Sequence, residues 1–137
     1  MDVNVEISDW EQECCGKRIS LNQVVTWEVF LRPRPFGKET DAWGTGLTEL
    51  IETHHDMFIG GTQVTGRVTR IRAVWPEQGI LAGAETVSDI EQIWGPGDSE
   101  DGCDYGREIN PEFFVVTLRV PSSAKLPTSP AERKTDA

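Results

Sequence analysis

The chain has 137 residues, which suits one domain with a core of its own and excludes a large multidomain assembly. Apolar residues make up 37% and charged residues 26%, and the formal charge of −10 is spread through the body: residues 1–66 carry 5 basic and 11 acidic side chains, residues 67–121 carry 5 and 10. Such a field repels phosphate, so it argues against non-specific binding to nucleic acid or to an anionic membrane and favours a basic partner.

The first residues, MDVNVEISDW, are acidic and alternating and lack the basic and apolar regions of a signal peptide. No window approaches the ~18 apolar residues of a membrane-spanning helix. Three cysteines, an odd count, argue against a disulfide framework, and the expected setting is the cytoplasm with reduced thiols.

In chain order, the dominant period is two. Val3, Val5 and Ile7 alternate with Asn4, Glu6 and Ser8, which predicts a half-buried strand. Cys14-Cys15-Gly16 marks a turn, and Leu21-Asn22-Gln23 is an irregularity before the next strand. In that strand Val25, Trp27, Val29 and Leu31 share one face, and Pro33 and Pro35 end it because proline cannot donate to a ladder. Residues 36–47 form a Gly-rich loop, and 47–52 fit a helical turn or a strand equally well.

Val64, Gly66 and Val68 sit at even positions, whereas Ile71, Ala73 and Trp75 sit at odd ones. The switch of parity at Thr69-Arg70 requires a bulge or a sharp bend. Residues 86–94 fit a strand or a short helix, since Ile90, Ile93 and Trp94 have helical spacing. An acidic, turn-rich loop covers 95–102. Phe114, Val116, Leu118 and Val120 then alternate in a last strand that stops at Pro121. Residues 122–137 have no apolar periodicity and are expected to be a disordered tail after a single domain over 1–121. Bending strands and little helix predict a mainly β fold, a small antiparallel β-barrel of OB-like or SH3-like type.

Four pieces, Trp10-x3-Cys14-Cys15-Gly16, Val24-Val25-x-Trp27, His54-His55 and Thr65-Gly66-Arg67-Val68-x2-Ile71, resemble a family of small actinobacterial proteins of unknown function. The resemblance spans residues 3–121. It implies a compact β-rich domain and no established activity, and it carries over as Cys14, Cys15, His54 and His55, with no counterpart for Cys103.

Cys14, Cys15, His54 and His55 supply the thiolates and imidazoles that zinc prefers, and a set of four would take one Cys, one His and two others, with Cys103 or Asp104 as candidates. Adjacent residues of an extended segment face opposite ways, so one member of each doublet is expected at a shared ion, Cys15 and His55 for preference. The competing reading is a small buried thiol, an exposed one, and histidines bonded to backbone or water. A nucleophilic Cys oriented by Glu52 or Asp56 lacks any accompanying oxyanion motif. The acidic run 98–104 fails the register of an EF-hand calcium loop.

Arg67, Arg70 and Arg72 lie in one strand, with Arg119 in another. Beside exposed aromatics they would hold single-stranded nucleic acid, and otherwise they bridge to nearby acids. Arg70 and Arg72 share a face, and Arg67 joins them only if the bulge turns it. Trp43 in its Gly-rich loop is a latch over the barrel end or a contact for a partner. The leading expectation is a non-enzymatic barrel, without cofactor, that binds another protein or serves as an accessory module. A zinc-supported domain and an OB-type nucleic-acid binder are the alternatives.

Overall fold

The computed structural model describes residues 1–8, 17–32, 48, 50–52, 58–76, 85–95 and 111–133. Among the described residues ten strands follow one another: β1 (Asp2–Ser8), β2 (Ile19–Ser20), β3 (Val24–Leu31), β4 (Leu50–Glu52), β5 (Phe58–Ile59), β6 (Thr62–Pro76), β7 (Glu85–Ile90), β8 (Gln92–Ile93), β9 (Phe113–Arg119) and β10 (Glu132–Arg133). The main sheet runs β3-β4-β1-β9-β6-β7, and a further β3–β6 pairing closes β3, β4, β1, β9 and β6 into a five-stranded barrel. All neighbouring pairs are antiparallel except β1–β4. The expected small β-barrel is present, with one parallel pair that the sequence did not disclose.

Closure follows from the length and irregularity of β6. Its first half pairs with β3 from Thr62 to Arg67, its second half with β7 from Ile71 to Pro76, and β9 lies along the other edge. The register with β9 shifts between Val68 and Arg70, leaving Thr69 as an extra residue. The expected bulge is therefore in place, and it lets inward positions pass from Val68 to Ile71 without losing the core face.

The interior is filled by the alternating sets read from the sequence, including Val5, Ile7, Val29, Val68, Ile71, Phe114, Val116 and Leu118. Each such side chain contributes about 1.5–3 kcal/mol on burial. Trp27 and Trp75 also belong to this inner face, as expected. Asn22 adopts a left-handed φ of 70° in the β2–β3 turn, a conformation asparagine tolerates. That turn is fixed by bonds from Asn22 N to Val68 O (2.8 Å) and from Val68 N to Gln23 O (2.8 Å).

The two undecided segments are strands. Residues 50–52 form β4, and 85–93 form β7 and β8 with a bend at Glu91. That bend explains the misleading helical spacing: it inserts one residue, so Ile90 and Ile93 turn inward three positions apart.

The C-terminal segment is described as far as residue 133, and there it lies against the barrel. Ala124 and Leu126 pack against the core, and Ala131 is buried with Phe30, Ile51 and Phe58 in a second cluster outside the barrel. Glu132 and Arg133 pair with Ile59 and Phe58. The composition is polar because a few small apolar contacts, at Ala124, Leu126 and Ala131, and main-chain bonds suffice to attach the segment. Residues 134–137 lie outside the described part.

Candidate functional site

Arg67, Arg70 and Arg72 are brought to one face by the bulge. Arg67 stands opposite Arg119, Arg70 opposite Thr117 and Arg72 opposite Val115, and all these partners alternate with the inward Phe114, Val116 and Leu118. The outer face of β6 and β9 therefore carries four arginines in a row, two of them directly opposed. Opposed like charges are unfavourable unless neutralised. Arg119 approaches Asp2 at 3.4 Å, Arg67 donates to the Asn22 carbonyl at 3.1 Å, and Arg70 Nε donates to Asp89 Oδ1 at 2.6 Å.

The Arg70 hydrogen bond is the main cause that holds the Asp89 carboxyl below the usual carboxylate range. The same bond raises the Arg70 guanidinium above its ordinary value. Both groups are exposed, so salt screens the pair. Arg72 differs from its neighbours: its Nε is buried and has no hydrogen-bond partner among the described residues.

A groove of about 370 Å³ opens above the bulge, lined by Leu21, Thr69, Arg70, Ile71, Asp89, Ile90 and Glu91. Leu21 is exposed at its rim. The groove joins an apolar floor to an exposed ion pair, the mixed chemistry of a protein-recognition surface.

Among the described residues, no exposed large aromatic side chain stands beside these arginines as a stacking platform for single-stranded nucleic acid. Trp75 is buried inside, and Trp27 packs against the same core. Among the described residues the exposed large apolar side chains are Met1, Leu21, Val24, Ile59 and Val87, none of them aromatic.

Cys14, Cys15, His54, His55, Cys103 and Trp43 all lie outside the described residues. Among the described residues no three His, Cys, Asp or Glu side chains group as a metal set. Glu52, read from sequence as an orienting acid, stands opposite Val29 on the inner face at the end of β4 and is 6% exposed.

One charged cluster escaped the sequence reading. Glu6 lies on the outer face of β1 yet is 2% exposed, and Arg32 reaches it at 3.3 Å. Arg32 also donates twice to the Thr48 carbonyl, at 2.8 and 3.2 Å. Alternation marks Glu6 as solvent-facing, and nothing local to β1 reveals that Arg32, at the end of β3, folds back over it. The arrangement ties β1, β3 and the approach to β4 together and acts structurally.

No helix among the described residues is long and apolar enough to cross a membrane. Neither the curated proteins nor the solved structures contain a match to this sequence. The family match ends before β9, so the strand that closes the barrel and the segment after it lie beyond it. Across residues 1–104, three quarters of its length, the chain matches and belongs to a family of unknown function (DUF6578).

Proposed function

We propose that the protein is a non-enzymatic module that binds another protein through the outer face of β6 and β7. The observation that carries this reading is the groove at the bulge, where the exposed Leu21 offers apolar surface beside the Arg70–Asp89 pair. A bulge breaks the ladder, re-aims side chains and creates a recess on an otherwise smooth sheet. The interior is packed with apolar side chains, which leaves recognition to the surface. The acidic field favours a partner whose contact face is basic, with Asp89 and Glu91 at the rim to meet it.

The test compares the tagged wild-type chain with Leu21→Asp and Arg70→Glu variants in affinity capture from the source cells, read by mass spectrometry. Leu21→Asp places a charge on the apolar rim, and Arg70→Glu opposes Asp89. A polypeptide retained by the wild type and lost from both folded variants supports the reading. Retention profiles that are identical for all three chains overturn it.

A further inference from the structure

We propose that the outer face of β3, β4 and β5 is a second docking site, for an extended partner segment that adds as a strand beside β5, and that residues 127–133 are its built-in occupant. This proposal stands on other residues than the groove at the bulge.

The site arises from a mismatch of strand lengths. β6 begins opposite Val29, so on that edge the end of β3 runs past its neighbour. The tail takes the vacant edge: Pro130 bridges Leu31 in parallel, Ala131 N donates to Leu31 O at 3.0 Å, and Glu132 pairs with Ile59. The Ala131 methyl enters an apolar floor made by Phe30, Ile51 and Phe58, whose two rings lie 5.7 Å apart at 56°. This is strand addition, in which main-chain bonds give affinity and side-chain pockets give selectivity. Phe30 is on the face that alternation assigns to solvent, so its burial depends on what lies over it.

The occupant leaves part of the site unfilled. Between Leu126, anchored on the main core, and Ala131, anchored on the second cluster, Pro127 to Pro130 form one wall of a groove of about 360 Å³ whose other wall is Ile59, Gly60 and Thr62. Ile59 remains 56% exposed beside it. Thr128 and Ser129 are too small to fill that space. A better ligand keeps the Pro-small pair of Pro130-Ala131 and carries a larger apolar side chain one or two positions earlier, where it fills the groove and covers Ile59. The partner is thus an extended protein segment with an apolar residue followed by Pro and a small residue.

The experiment uses the full-length chain and a fluorescent peptide with the sequence of residues 124–133, read by anisotropy. Wild type, in which the tail competes, is expected to bind weakly. Ala131→Asp in the chain places a carboxylate on the apolar floor and releases the tail. A tail docked nine-tenths of the time lowers apparent affinity about tenfold, so the variant is expected to bind the peptide at least about tenfold more tightly than wild type. Peptides with Thr128→Leu or Ser129→Leu are expected to bind tighter still, and a peptide with Ala131→Asp not at all. Leu21→Asp in the chain should leave all these values unchanged, which separates this site from the groove at the bulge.

If Ala131→Asp fails to fold by circular dichroism, Ala131→Gly removes the methyl alone and is expected to give the same trend, smaller. A folded variant that binds no peptide overturns the proposal. So does a concentration-dependent dimer that exchanges tails, which would make a second copy the occupant. Hydrogen exchange gives an independent reading: the Ala131 amide should exchange well ahead of the β9 amides, and exchange only by global unfolding overturns displacement.

Discussion

At Gly66 the barrel leaves no room for a side chain. It lies inward on β6, opposite Val25, and an added Cβ would meet Val120 Cγ1 at 2.8 Å, the Arg119 carbonyl oxygen at 2.9 Å and Leu118 Cβ at 3.2 Å. One of these is backbone and another a Cβ, so neither can swing aside. Gly66→Ala should therefore push β9 away from β6 and cost about 2 kcal/mol, within the range for overpacked cores. Urea denaturation followed by tryptophan fluorescence measures it, and an unchanged midpoint would show that β9 yields at no cost. The sequence marks Gly66 as unusual because glycine weakens a strand interior. It does not show that the reason is the approach of β9, some fifty residues later. The same limit applies to Glu6 and Phe30, which alternation places in solvent and other segments cover.

At the scale of the element, β6 decides the architecture. Its parity switch was legible because the apolar residues themselves record it: Val64 and Val68 before, Ile71, Ala73 and Trp75 after. Periodicity in a half-buried strand is set by the core, so a break in it must be a break in geometry. β7 and β8 were ambiguous for the same reason, since a bend at Glu91 imitates a helical interval over so short a run. β4 was ambiguous because three residues hold no period. Deleting Thr69 tests the role of the bulge directly. Without the extra residue, either Val64 to Val68 or Ile71 to Trp75 must turn outward, so the deletion is expected to abolish the cooperative thermal transition. A melting curve like that of the wild type would mean that another residue can serve as the bulge.

At the scale of the whole molecule, the first and last barrel strands lie side by side over their full length, Asp2 opposite Arg119 through Ser8 opposite Phe113. The N-terminal ammonium donates to the Val120 carbonyl at 3.0 Å, and Val120 N returns a bond to the Met1 carbonyl at 2.9 Å. The closed barrel was legible as a class from bending strands, but its order was not, because pairing between distant strands leaves no local mark. The candidate zinc ligands stay at the level of the sequence, since they fall outside the described residues. The arginine row can be judged against the whole field. Arg70 and Arg119 already face carboxylates, Arg67 is bonded to backbone, and the surrounding charge is −10. A phosphate chain would have to displace these acids while approaching a repulsive surface, and counterion release from a row whose members are already bonded would return little. Labelled single-stranded DNA and RNA are therefore expected to show no retention even at low salt in a filter-binding assay. Retention that falls steeply with added salt and is lost in Arg70→Glu would reverse this, and would mean that the acids beside the row give way to phosphate.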